Sequence, residues 1–366
     1  MNIDSDLIVR LFDSPELLAE VNLADRPRVI TALRQQKVLA KYAHLLFEND
    51  KADCVDDKTQ RHLRNALKIA EKQKQQVAFE ANEIKAALAD VSEFVVFLKG
   101  AAYSLNNTEV GKGRIYSDID VLVNKPDLLA CEQSLVFHGW HGEEISDYDD
   151  KYYRKWAHEI PPMTHMHRGT SIDVHHNIIP VISKDAPSAE SLKAFIVEND
   201  SGIQSLNIDA QFVHCAVHLF RNEDYKTAFR DILDLRFMLK DLNDQSLCGV
   251  LSVADTLGFR YEVGLALHFV KAIFAVGIEQ DLIDSCLVLK PLRKKIDLFI
   301  FSTVLLPKHP MIQHKSRAWI EALAELRGHL IKMPLLLLIY HLTVKSTRSV
   351  IEAIMGKHFF SKRELT

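Results

Sequence analysis

The sequence predicts an α+β fold, a small mixed β-sheet framed by helical regions at both ends of the chain. Apolar positions recur at helical spacing from the start to about residue 88. Strand-like runs then concentrate between residues 93 and 180, and a period of about 3.6 returns from about residue 188 onward. The expected organisation is therefore 1–88 as an N-terminal helical region, 89–185 as the mixed core, and 186–366 as a C-terminal helical region with a basic tail. No internal repeat and no low-complexity tract interrupts it.

In the first region, Pro15 follows Ser14 and Pro27 lies two residues after Asp25, the placement of helix starts behind a capping residue. Lys58 to Leu88 reads as one long charged helix that leads directly into a strand beginning at Glu93. In the core, Gly139, Gly142, Gly169, Pro161 and Pro162 mark turns. A chain of 366 residues can bury a large core, and 48% apolar with 26% charged residues matches globular averages. A net charge of −4 gives the whole chain no nucleic-acid signature. Cys54, Cys131, Cys215, Cys248 and Cys286 are scattered without pairing motifs, as expected in a reducing cytoplasm. Met1 to Asp6 lacks the basic start and apolar run of a signal peptide, and no apolar stretch approaches the roughly 20 residues that span a bilayer.

The chemistry concentrates in Asp118-Ile119-Asp120, within the run Arg114 to Val123. Ile119 and Val121-Leu122-Val123 read as a strand, so both carboxylates leave one face, close together. Adjacent carboxylates repel, and a fold keeps them mainly where a cation neutralises them. Oxygen-only ligands suit Mg²⁺, with Mn²⁺ as an alternative, better than zinc or copper. Upstream, Glu93 to Ala102 is an apolar strand running into Lys99-Gly100-Ala101, a turn and helix start of the kind that presents backbone N–H groups to phosphate. Downstream, Ser171-Ile172-Asp173-Val174-His175 adds a third carboxylate, with Asp173 and His175 on a common strand face.

These segments are similar to the polymerase-β-type nucleotidyltransferase pattern. Within it they resemble the bacterial "uncharacterised nucleotidyltransferase" family, through Leu98-Lys99-Gly100, Arg114 to Val123, Ile172 to His175, and the helical stretch His214 to Leu235. The likeness covers roughly residues 90–240. Two departures stand out: Gly100 is followed by Ala101 where the superfamily has Ser or Gly, and the stretch from Gly100 to Asp118 is longer than usual.

The resemblance implies a nucleotidyltransferase core and two-metal transfer of a nucleoside monophosphate, AMP by superfamily habit, from an NTP to a hydroxyl acceptor. Asp118, Asp120 and Asp173 would be the catalytic, metal-holding carboxylates, with Asp173 completing a second metal position or acting as base. Lys99, Gly100, Ala101, Arg114 and Ser117 would meet the nucleotide, and His175, His218 and Asp231 the substrate side. Lys99 suits equally an exposed strand-end position, and Arg114 an ion pair with one of the acids.

Other features stay open. His158, His165, His167, His175 and His176 crowd one region, and imidazoles favour zinc, but no Cys-x-x-Cys or His-Glu-x-x-His accompanies them. His214 and His218 share a helix face and suit the core, a cleft or a substrate contact. From residue 301 on, ten Lys or Arg stand against four Glu and no Asp, giving +6, so residues 1–300 sum to −10. That segment contains Met333 to Tyr340 and reads either as a packed terminal helix or as a peripheral contact with a membrane surface or polyanion. The acceptor expected is small, sugar-like or a protein; nucleic acid is disfavoured because no basic, aromatic-studded channel is evident. A nucleotide-binding regulatory module without catalysis, or a structural partner protein, is the rival class.

Overall fold

The computed structural model describes residues 3–142, 145–242, 244–288, 291–310, 312 and 316–356. The fold is α+β, with helical flanks around a seven-stranded mixed sheet. Its strands are β1 (Val96–Phe97), β2 (Ile119–Leu122), β3 (Trp140–Gly142), β4 (Met163–His165), β5 (Ser171–His175), β6 (Ile196–Glu198) and β7 (Gln204–Leu206). They lie in the order β3-β4-β5-β2-β1-β7-β6. The β2–β5 and β1–β7 pairs are parallel and the others antiparallel. Every residue of β2 is buried, as befits a central strand covered on both faces.

The helix Asp57–Leu88 follows from its own sequence. Asp56 caps it by accepting from the Thr59 N–H at 3.0 Å, and Leu63, Ala66, Ala70, Val77, Ala81, Ile84 and Leu88 recur on its buried side. At about 1.5 Å per residue it runs about 48 Å. It packs against the preceding helix Leu39–Glu48 and the two helices that flank β2, Lys99–Leu105 and Leu128–Phe137. Strand β1 is much shorter than the run from Glu93 suggests, because the helix Lys99–Leu105 begins directly after Leu98. Strands β6 and β7 lie in a stretch read from sequence as helical. They are three residues each, and Gln204 and Ser205 in β7 give no strand signal by apolar alternation.

The long Gly100–Asp118 connection has a structural explanation. It is docked on the helix Leu39–Glu48, where the buried Lys41 ammonium donates to the carbonyls of Glu109 at 2.7 Å and Val110 at 3.1 Å. Gly113 sits at φ +66° with its Cβ position 2.6 Å from the Ala40 carbonyl oxygen, so only glycine fits there. The extra residues thus tie the N-terminal helices to the segment that leads through Asp118 into β2 and Asp120.

On the other side, the helices Ile208–Arg221, Ala228–Asp241 and Arg260–Phe274 pack together, and Arg317–Lys332 crosses the first of them. Gly328 permits that crossing, since a Cβ there would lie 2.4 Å from the Asn222 carbonyl oxygen. Leu335–Met355 forms the last described helix and exposes Leu335, Leu336 and Ile354. Among the described residues no helix is long and apolar enough to cross a membrane. Of the expected basic tail, Lys315 and residues 357–366 lie outside the described residues.

Three outcomes test this architecture. Gly113→Ala should cost about 2–4 kcal/mol in denaturant unfolding, from left-handed strain plus overlap with the Ala40 carbonyl. Gly142→Ala, with open space around its Cβ, should change stability by no more than about 0.5 kcal/mol. Burial pushes the Lys41 ammonium down to about 7 from its ordinary 10.5. Above the native value the folded chain has shed a proton that the unfolded chain still holds, so stability rises with pH across this window. Unfolding free energies measured between pH 7 and 10 should therefore move in favour of the wild type relative to Lys41→Met.

Candidate active site

The parallel register of β2 and β5 pairs Asp120 directly with Asp173. Neighbouring strands lie about 4.8 Å apart, so the two carboxylates share one patch of sheet, and Asp118 lies in the bend immediately before β2. The sequence-predicted trio is therefore brought together. Asp118 and Asp173 line a cleft of about 290 Å³, and Asp118 and Asp120 line an adjoining one of about 190 Å³. Lys99, Asp118 and His218 border both, so the two form lobes of one site.

The charges of the trio are set by its neighbours. Asp120 is buried, and its Oδ1 accepts from the Lys99 ammonium at 2.7 Å and from His175 Nε2 at 2.9 Å. Burial opposes ionisation, but Lys99 and His175 outweigh it and hold this carboxyl well below its usual range. The same contacts raise Lys99 and His175 against the burial that would lower them. Asp173 behaves oppositely: burial first, then the charge of Asp120, push its carboxyl up to about 7. Its Oδ1 is buried with no hydrogen-bond partner.

Lys99 reaches Asp120 from a left-handed backbone at φ +47°, a conformation that costs a non-glycine residue about 1–2 kcal/mol. The turn into the helix thus strains the lysine rather than the glycine. Gly100 serves close approach instead, its Cβ position lying 3.2 Å from Tyr116 Cβ. Ala101 is buried in the hydrophobic core and borders neither lobe, leaving only its backbone to meet a ligand.

The smaller lobe is cationic. Lys37, Lys99, Arg114 and Arg230 line it beside the two aspartates. Arg114 is held by its Nε donating to Asp234 at 2.8 Å, so the ion-pair alternative is realised while the guanidinium still borders the lobe. Ser117 also borders it and accepts from Lys37 Nζ at 2.5 Å. Asp231 borders neither lobe; it binds Arg230 at 2.7 Å and lies 4.0 Å from both Arg114 and His218. It therefore orients cations rather than facing solvent. His218 does face the site, its imidazole pushed down to about 3 by burial and then by Lys99.

The larger lobe carries many polar groups, lined by His158, Glu159, Arg221, Asn222, Glu223 and Lys332 besides Asp118 and Asp173. Arg221 is fixed by Glu262 at 2.7 Å, and Lys332 pairs with Glu223. Of the five clustered histidines, His158 and His175 come together with ring centroids 5.2 Å apart. His165 turns away, packing edge-on against Trp140 and accepting from the backbone of His167 and Arg168. His214 is buried behind the site, and burial pushes it well below the usual range.

Sequence reasoning missed Lys37, Glu159, Arg230 and Lys332. Arg230 carried a local signal, being next to Asp231 in a matching segment; Lys37 and Lys332 lie about 60 or more residues from the motifs and carried none.

Three hard carboxylates with one orphaned buried oxygen, Asp173 Oδ1, fit a divalent cation held by oxygen ligands. The profile of a family described as "Uncharacterised nucleotidyltransferase" matches residues 22–275. No curated protein matches the chain. The match takes in the N-terminal helices, the sheet with its carboxylates and the helices behind them. The chain therefore belongs to the uncharacterised nucleotidyltransferase family and is a nucleotidyltransferase.

Proposed function

We propose that the chain transfers a nucleoside monophosphate, with ATP as the first donor to test, onto a hydroxyl of a small polar acceptor. The observation that carries this reading is the pairing of Asp120 with Asp173 on adjacent parallel strands beside a cationic lobe. Asp118, Asp120 and Asp173 would hold Mg²⁺, or Mn²⁺ in its place. When bound, such ions neutralise the phosphates and clamp the attacking and leaving oxygens of an in-line displacement.

The residues divide the work by lobe. Lys37, Arg114 and Arg230 give the smaller lobe the charge that a triphosphate requires. Lys99, fixed on Asp120, offsets negative charge at the border of the two lobes. The larger lobe would take the acceptor. Among the described residues its lining contains no Phe, Tyr or Trp for base stacking and offers the hydrogen-bonding groups of Arg221, Asn222, Glu223 and Lys332. That composition favours a hydroxyl-rich small molecule over a nucleic-acid strand. Asp173 would serve either in that metal set or, unligated, as the general base for the acceptor's hydroxyl proton, a role suited to a carboxyl that burial and then Asp120 push up to about 7.

A module that only binds nucleotide has no need to keep three mutually repelling carboxylates together, which weighs against that alternative.

Pyrophosphate release from Mg-ATP, followed across a panel of polyols, sugars and protein acceptors, tests the reading. With a productive acceptor, Asp118→Asn should lower turnover by roughly 10²–10³-fold or more. Asp173→Asn should lose kcat while changing KM for ATP by no more than about threefold, the signature of a group needed mainly in the transition state. Full activity in Asp118→Asn would remove the proposed site.

A further inference from the structure

The segment just after the helix Asp147–Trp156 runs beside the end of β5. Glu159 and His175 form an antiparallel bridge, flanked by Ile160 N–H donating to the Val174 carbonyl at 3.0 Å and His176 N–H donating to the His158 carbonyl at 2.7 Å. This backbone pairing fixes three side chains at one spot: one ligand atom each from His158, Glu159 and His175 lies within 4.8 Å of the others.

The hydrogen bonding of His175 determines what that spot can hold. An ionised carboxylate only accepts, so the bond at 2.9 Å puts the proton on Nε2, facing Asp120 Oδ1. The other ring nitrogen, Nδ1, faces Glu159 Oε2 at 3.3 Å. A proton between them makes this an ordinary ion pair, and with that proton displaced both atoms are acceptors facing one point, able to share a metal ion instead. His158 brings a ring nitrogen within 4.8 Å of both, and its Nδ1 is buried without a hydrogen-bond partner. The carboxylate–imidazole arrangement through Asp120 is the one that orients metal-bound histidines.

We infer that His158, Glu159 and His175 form a binding site for one divalent cation of the zinc class, separate from the aspartate trio. Two imidazoles and one carboxylate suit borderline metals rather than Mg²⁺. Bonds of about 2.0–2.2 Å put tetrahedral ligand atoms about 3.3–3.6 Å apart. The Glu159–His175 pair already has that spacing, and His158 has to close by on the order of 1 Å, a side-chain adjustment. His158 and Glu159 line the larger lobe, so the fourth position opens into the cleft, where such sites hold a water or a substrate oxygen. The site thus lies on the acceptor side, across Asp120 from the cationic lobe, and stands whether or not the aspartates bind Mg²⁺.

Zinc titration of the full chain tests it, after chelator stripping and with millimolar Mg²⁺ present to fill oxygen-only sites. One equivalent is expected, with affinity reduced at least about tenfold in His158→Ala and in Glu159→Gln and retained in Asp118→Asn. Co²⁺ in the wild type should give the strong visible absorption of a four- or five-coordinate, nitrogen-ligated ion, a readout that needs no variant to fold. Absence of zinc binding by the wild type would overturn the site and leave a proton between His175 and Glu159. Affinity unchanged in both variants, equal loss in Asp118→Asn, or a weak octahedral Co²⁺ spectrum would overturn it as well.

Discussion

Asp120 Oδ1 accepts from the Lys99 ammonium at 2.7 Å and from His175 at 2.9 Å inside a buried sheet, and the rest of the site depends on that junction. Removing a carboxylate from water costs several kcal/mol unless partners compensate it, and here two do. The junction also separates the behaviour of neighbouring acids. Burial first, and then the charge of Asp120 kept ionised beside it, push the carboxyl of its lateral partner Asp173 up to about 7. Two carboxylates of the same type, side by side on adjacent strands, are thereby given different protonation behaviour, the usual basis for assigning acid–base roles.

Holding this junction in place requires more than the sheet. Lys99 is kept in a left-handed backbone by the turn after β1, a strain that the surrounding packing has to offset. The segment before Asp118 is pinned to the N-terminal helices through Lys41 and Gly113. From the C-terminal side, His218 and the Arg114–Asp234 pair close the space behind the carboxylates, and Lys332 reaches the cleft from a helix beyond the matched residues. One hydrophobic core runs from Leu7 to Ala324, so the helical flanks and the sheet are packed as a continuous interior.

Much of this is legible in sequence, for identifiable reasons. Short-range periodicity carries the helix ending at Leu88 and the strands around Ile119 and Ile172, because each buries an unambiguous apolar pattern. Of the carboxylates, Asp118 and Asp120 are legible as near neighbours in sequence and Asp173 with His175 by strand alternation, while the β2–β5 register joins the two sets. What stays hidden depends on tertiary approach. Lys37 reaches Ser117, and Lys332 reaches Glu223, across distances in sequence that no local pattern encodes. The histidine cluster shows the same limit: five candidates crowd the sequence, and backbone pairing at Glu159 selects His158 and His175 from them. Strands β6 and β7 are missed because β7 is held by pairing with β1 and β6 by pairing with β7, rather than by their own composition.

The central claim is that the carboxylate trio and the cationic lobe together bind a metal–nucleotide complex. Calorimetric titration of a non-hydrolysable ATP analogue, with and without Mg²⁺, on the wild type and on Asp118→Asn tests it most directly. The account predicts binding that requires Mg²⁺ and is lost in the variant. Absence of binding to the wild type by this analogue and by those of the other three nucleotides, or equal binding with Asp118 neutralised, would contradict it.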